Sequence, residues 1–298
     1  MREATKGILA MVATCSVWGL SGIYYKLLDH IPPIEILAHR TLWSFIFFAL
    51  VLLVQGRISV LRQTLGARKS VLLIGFAALM ISTNWFVFIT SIQIGKAVEA
   101  SLGYYIFPLV AVLLGAIAFR ERLGKAQLFA VALAATAVIT LTIGLGVPPW
   151  IALILAISFG FYGLVKKGLS VGPVVSVTAE VLLLSPIALG VLWWFHSDGH
   201  GAFGTNWHDS LLLAFSGILT ASPLIMFSYA TKRITLATVG LVQYMNPSLQ
   251  FLVATLLFRE AFSFWHAIAF GMIWSALAIY TTASLRQDRA ARRAILKS

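Results

Sequence analysis

Ten apolar blocks divide the chain, at approximately residues 7–28, 34–54, 71–93, 98–118, 125–146, 149–166, 173–195, 210–230, 236–257 and 262–284. Each is long enough to cross a hydrocarbon layer about 30 Å thick as a helix. Backbone inside lipid must satisfy its own hydrogen bonds, so only helices and closed barrels are open to such a chain. A barrel needs short segments of alternating polarity, whereas Val110 to Phe119 and Ile268 to Tyr280 are apolar on all sides. Composition agrees: 60% of residues are hydrophobic, 11% are charged and the mean hydropathy is +0.93, against about a quarter charged in soluble domains. The expected class is an all-α integral membrane protein with ten transmembrane helices.

A net charge of +12 raises the question of a nucleic-acid partner, and the placement of the basic residues answers it. Eighteen of the 22 Lys and Arg fall on alternate connections: Arg2 and Lys6, the 55–70 connection, Arg120 to Lys125, Lys166-Lys167, Lys232-Arg233, and the tail from Arg286 to Lys297. The positive-inside rule makes those connections cytoplasmic, with both termini inside. A nucleic-acid surface would interleave basic and aromatic residues on one accessible face, and no aromatic follows Tyr280. The charge therefore reads as a topology signal, with the lipid bilayer as partner and no nucleic acid.

The lone Cys15 excludes an internal disulfide or a multi-cysteine metal site and reads as a packing residue. The basic, apolar start resembles a signal peptide, but nine further spans make it an uncleaved first helix. No connection is long enough to fold as a separate soluble domain.

The chain is also a duplication. Glu99-Ala-Ser-Leu-Gly-Tyr-Tyr-Ile-Phe-Pro108 with Arg120-Glu121 returns, much altered, as Thr238-Val-Gly-Leu-Val-Gln-Tyr-Met-Asn-Pro247 with Arg259-Glu260, an offset of 139. Upstream the offset is 141, with Gly19 and Gly22 matching Gly160 and Gly163, Lys26 matching Lys167, and His39 matching Glu180. Five spans per copy is an odd number, so the second copy enters the membrane in the opposite sense. The expected units are an inverted pair, residues 1–146 and 147–285, followed by a basic cytoplasmic tail, 286–298. Inverted repeats build many secondary transporters, because two similar halves of opposite sense can exchange conformations about a central site.

Ionisable groups deep in apolar spans are functional candidates. Glu180 lies seven residues into the seventh span with Ser176 one turn earlier on the same face; it either pairs with a cation from a neighbouring helix or handles substrate or protons. His39 can switch charge near neutral pH. Arg40 either grips an anionic or zwitterionic ligand with two hydrogen bonds or snorkels to the headgroups. Glu99 stands beside Lys96 at a helix start, as a surface pair or a guard of the outer mouth.

Gln243, Asn246 and Gln250 put three amides on one helical face, where they either bind neighbouring helices or line a cavity. Their repeat mates Tyr104 and Phe107 make the opposing side aromatic. Tyr105 and Tyr244, the tyrosines shared by both copies, join that lining together with Asn84 and Trp85; Trp18, Tyr25, Phe88, Tyr162 and Tyr229 extend it. Trp193, Trp194, Trp207 and Trp265 read as interface anchors. Pro108 and Pro247 interrupt equivalent spans as kinks or hinges. Ala267, Gly271 and Ser275 form a small-residue ladder suited to close helix contact, within the chain or in a homodimer. No phosphate loop or metal-ligand spacing occurs, His196, His200 and His208 reading as solvated loop residues; no catalytic group, metal or cofactor is expected.

Ser16-Val-Trp-Gly19, Glu35-Ile-Leu-Ala-His-Arg40, Trp43-Ser44, Asn84-Trp85, Glu99 to Tyr105, Phe159-Gly-Phe-Tyr-Gly-Leu-Val165 and Gln243-Tyr244 before Pro247 together resemble the drug/metabolite transporter superfamily, EamA type, RarD branch. Phe107 departs from the branch, where asparagine is common before the proline, while Asn246 keeps the amide in the second copy. The resemblance implies a bacterial inner-membrane carrier with relatives that export amino acids, other metabolites or drugs.

The combined expectation is a secondary transporter that exports a small metabolite, amino-acid-like or drug-like, by alternating access. A channel-like facilitator is the alternative, and a membrane-embedded enzyme a more distant one. Proton coupling would act through Glu180 and His39.

Overall fold

The computed structural model describes residues 3–119, 123–234 and 236–295. In elements the order is α1 (Glu3–Lys26), α2 (Pro33–Val54), α3 (Ile58–Gly66), α4 (Arg68–Gln93), α5 (Ala97–Phe119), α6 (Lys125–Leu145), α7 (Trp150–Gly168), α8 (Pro173–Ser197), α9 (Trp207–Thr231), α10 (Leu236–Gln243), α11 (Met245–Leu252), a π-helical turn Val253–Leu257, and α12 (Phe264–Ile295). Among the described residues eight helices are long and apolar enough to cross a membrane, and Trp150–Lys166 adds a shorter apolar one. The protein is an all-helical, multi-pass membrane protein.

Three elements differ from the block pattern. The block 236–257 is not one helix: it breaks at Tyr244, three residues before Pro247, and widens into the π turn. Pro247 has no N–H to offer the carbonyl of Gln243, and its ring crowds that carbonyl. Yet the repeat mate Pro108 sits inside an unbroken α5, so the same residue interrupts one copy and not the other. The polar connection 55–70 contains the short helix α3, which packs on α4 and α8. The last helix continues past the apolar block to Ile295, because nothing in Arg286 to Ile295 breaks a helix.

The strongest packing joins the first part of the chain to the second. Helix α5 lies on α7, α2 on α8 and α9, α4 on α7, and α1 on α9, α10 and α11, while α12 lies on α6. A buried core of Tyr25, Leu28, Ile36, Phe88, Leu102, Leu213, Phe270 and their neighbours fills the space between. Ala267, Gly271 and Ser275 remain exposed on α12. Trp193, Trp194 and Trp207 stand on the outer surface, more than half exposed.

Close approach of α2 and α9 depends on Gly217, where an added Cβ would lie 2.6 Å from the carbonyl carbon of Trp43 and 2.8 Å from its oxygen. Those are backbone atoms and cannot rotate away. We expect Gly217→Val to cost about 3 kcal/mol, at the upper end of overpacking penalties, seen as a lowered unfolding temperature in detergent. Gly75→Ala is the control, since a Cβ added there would meet nothing within 4 Å and alanine favours the helix. Equal behaviour of the two variants would refute the packing argument.

Candidate solute cavity

A cavity of about 1020 Å³ opens in the middle of the bundle, large enough for a drug-sized molecule. Its lining comes from α1, α2 and α4 to α12. At one end it reaches Leu123, Gln127, Lys166, Val171, Pro173, Thr231 and Tyr280. No described residue of the connections 27–32, 94–96, 146–149, 198–206 or 258–263, at the other end, lines it.

The deep part is aromatic and the polar groups are few. Trp85 carries the guanidinium of Arg40 at 3.8 Å from its ring centroid, and Phe88, Tyr104, Phe107 and Phe159 continue the wall. Tyr104 stands edge-on to Phe88 and Phe159 at 5.9 and 6.0 Å, the geometry favoured by ring quadrupoles. Asn84 is a bracket: its amide nitrogen donates to the Leu155 carbonyl at 2.9 Å and to Ser158 Oγ at 3.1 Å, while its oxygen accepts from the Tyr104 hydroxyl at 2.8 Å. It thus ties α4, α5 and α7 and holds Tyr104 against the cavity.

Opposite these, Gln243, Tyr244, Asn246, Pro247 and Gln250 line the cavity from the broken helix. Gln250 donates to Asn246 Oδ1 at 3.1 Å, and its own Oε1 is buried without a partner. Tyr244 is anchored through its hydroxyl to Thr281 Oγ1 at 3.2 Å.

Nearer the open end, Glu180 meets Lys166, Nζ to Oε1 2.6 Å; Ser176 Oγ donates to the same oxygen at 3.0 Å and the Tyr162 hydroxyl to Oε2 at 3.3 Å. Lys166, counted in the sequence as a loop charge, is therefore part of the site. The short turn between α7 and α8 lets side chains from the last turns of one helix reach those of the first turns of the next. The signal that could have found Lys166 is Glu180 itself, since a carboxylate at this depth requires a cation.

Three of the candidate site residues lie away from the cavity. Tyr105 points to the opposite side of α5, where its hydroxyl meets Ser248 Oγ at 2.6 Å and its ring meets Phe270 and Trp274. Glu99 is held by Lys96 at 3.1 Å. His39 stacks on Phe203, ring centroids 5.1 Å apart, with Glu35 at 4.0 Å. One helical step rotates a side chain by about 100°, and here that step turns His39 towards the Phe203 side of α2 while Arg40 lines the cavity. Of the aromatics expected to extend the lining, Trp18, Phe88 and Tyr162 do so; Tyr25 is buried behind Trp85 at 6.0 Å, and Tyr229 lies under Arg233 on the exterior.

The other end of the bundle is shut by hydrogen bonds between distant segments. The Glu260 carboxylate accepts from the backbone N–H groups of Ala97 and Val98, both at 2.8 Å, capping α5. Gln93 donates to the carbonyls of Leu28 and Ile31 at 3.2 and 2.9 Å. Glu35 accepts from the Ala202 N–H at 2.6 Å, and the Tyr24 hydroxyl donates to the Leu212 carbonyl. The 198–206 loop folds over this end around His196, which is exposed and also bonds the carbonyls of Leu192 and Phe203 at 2.9 and 3.2 Å. Among the described residues no cluster of His, Cys, Asp or Glu could hold a metal. Arg120 and Glu121, the first copy of the Arg-Glu pair, lie outside the described residues.

Comparison with known proteins places this architecture. The sequence profile of the EamA-like transporter family matches residues 5–143 and again 149–282. The chain is 41% identical to Protein RarD of Streptomyces exfoliatus, covering 97% of this chain and 92% of that one. It is 43% identical to an uncharacterized transporter of Vibrio cholerae, covering 98% and 97%, and 35% identical to Protein RarD of Escherichia coli, covering 97% and 98%. A solved crystal structure shares the fold, with a TM-score of 0.62 at 19% identity over 94% of this chain and 98% of that one. With two family matches spanning the helices that build the cavity, this membrane protein belongs to the EamA-like transporter family, in its RarD branch.

Proposed function

We propose that this protein is a secondary transporter that exports small metabolites, amino-acid-like or drug-like, across the bacterial inner membrane by alternating access. In this reading ten spans form two inverted halves, residues 1–146 and 147–285, with both termini cytoplasmic. The observation that carries it is the cavity, which reaches the bundle centre from one end and is sealed from the other. The open end is the one with the basic connections, including Arg57, Arg62, Arg68, Lys69, Lys125, Lys232 and Arg233. By the positive-inside rule that end is cytoplasmic, so the cavity loads from inside. The two family matches support a division into two units.

Purified protein in liposomes, screened with a panel of amino acids, organic acids and antibiotics, tests the reading through counterflow. A carrier accelerates uptake of labelled solute when the same solute is loaded on the opposite side; absence of that acceleration for every transported solute would leave a channel-like facilitator instead. Proton coupling through Glu180 or His39 predicts that an imposed pH gradient changes the rate, and that Glu180→Gln removes the change. Rates indifferent to the gradient in both proteins exclude it.

A further inference from the structure

Three charged side chains line the cavity among the described residues: Arg40, Lys166 and Glu180. Their pairing is unequal. Both Glu180 oxygens are already engaged, Oε1 by Lys166 at 2.6 Å and Ser176 at 3.0 Å, Oε2 by Tyr162 at 3.3 Å. Arg40 is 8% exposed, stacks on Trp85, and has its Nε buried with no hydrogen-bond partner. No acidic group among the described residues forms an ion pair with it. A buried charge is costly unless paired, and stacking on an aromatic face offsets only part of that cost. The cavity therefore holds one uncompensated positive charge at its deep, aromatic end.

Resting on the reading of this cavity as the transport site, we propose that its solute is an organic monocarboxylate with an aromatic or other flat apolar body and no free ammonium group. The guanidinium presents a fixed fork of donors matched to a carboxylate, and the neighbouring rings receive the apolar body. A zwitterion fits less well, because its ammonium meets no carboxylate that Lys166 has not already taken. A cation is repelled. A multiply charged anion exceeds the single unpaired charge, and a small inorganic anion leaves the aromatic wall uncovered.

Energetics of export follow from the same charge count. Carrying one net negative charge outward per cycle runs with an inside-negative potential, which is worth about 2.3 kcal/mol per 100 mV, a concentration ratio of about 50-fold. Uniport of a monoanion thus exports without a coupled ion.

Four compounds with one ring and different charge test the site on the intact, detergent-purified protein: N-acetylphenylalanine (anion), phenylalanine (zwitterion), phenylalaninamide (cation) and N-acetylphenylalaninamide (neutral). Binding is read by tryptophan fluorescence, with Trp85 under the guanidinium. We expect the anion to bind at least about tenfold tighter than the other three, the low end of a charge-assisted hydrogen bond. Arg40→Gln should lose that factor for the anion alone, and Arg40→Lys should lie between. Equal or tighter binding of the zwitterion, cation or neutral compound, no binding of any of the four, or an anion affinity unchanged in a folded Arg40→Gln protein overturns the proposal. The charge series on the wild type decides the matter even if the Arg40 variants do not fold. Anion binding without counterflow would keep the carboxylate site and sink the carrier reading; counterflow of the zwitterion in preference to the anion would do the reverse.

Discussion

Glu260→Ala will unlock the sealed end of the bundle and raise the population open at that end by about a hundredfold relative to the wild type. The carboxylate accepts two backbone N–H bonds at the start of α5, and each charge-assisted bond is worth about 1.5–3 kcal/mol; losing both removes about 3 kcal/mol, or two factors of ten. The local backbone shows how the carboxylate is aimed. Arg259 adopts φ 54°, a left-handed conformation that normally falls to glycine and costs about 1–2 kcal/mol in other residues. It ends the π turn, with the Glu260 N–H returning to the Ala254 carbonyl at 3.0 Å, and directs the next side chain across to the other part of the chain. In a Cys15→Ser background, Ser101→Cys places a buried thiol one turn below the lock, and an impermeant maleimide added outside whole cells reads its access. Faster labelling with Glu260→Ala is the expected result; labelling that is equally slow with and without Glu260 would show that the lock does not hold this end shut. The repeat offset of 139 makes Glu121 the mate of Glu260, so the proposed inverted halves predict that Glu121→Ala has the opposite effect and slows that labelling.

The second large effect is expected at the Lys166–Glu180 pair, and it should be unequal between the partners. Glu180 has a side chain 3% exposed, against 21% for Lys166. Lys166→Met leaves a carboxylate with little access to water, a loss of about 3 kcal/mol by the behaviour of broken buried pairs. Glu180→Leu leaves a lysine near the open mouth, whose flexible stem can carry the ammonium to solvent, so about 1–2 kcal/mol is expected. The double variant removes both desolvation costs and should return to within about 1 kcal/mol of the wild type. Unfolding in a mild detergent measures all three. Strictly additive losses would mean that the pair is not coupled and that Glu180 is held by Ser176 and Tyr162 alone. Transport in the double variant then separates roles: stability restored with activity lost assigns the pair to the transport cycle.

Much of the helical architecture was legible in the sequence because apolar blocks report their own environment, residue by residue. The block 236–257 was less so: the same proline that leaves α5 continuous coincides with a break at Tyr244 in the second copy, so the proline by itself does not fix the outcome. Depth and polarity pointed to Arg40, Asn84, Trp85, Tyr104, Glu180, Gln243, Tyr244 and Asn246, and the structure gathers all of these around one cavity. His39, Glu99 and Tyr105 were chosen on the same grounds but project elsewhere, since polarity at a given depth carries no direction around the helix. Lys166 was hidden by its position beside a loop, where a basic residue has an ordinary explanation.

Hydrophobicity and periodic charge are local properties, so the chain alone determined that it is helical, that it belongs in a membrane, which connections carry the positive charge, and that its two parts derive from one pattern. Pairing is not local. That Glu180 is neutralised while Arg40 meets no counter-ion among the described residues, and that one end of the bundle is sealed by Glu260 on residues more than 160 positions earlier, depends on polar atoms meeting within about 3 Å. Only the folded arrangement of the helices brings such distant groups to hydrogen-bond distance, and so only the tertiary structure decided where the unpaired charge lies.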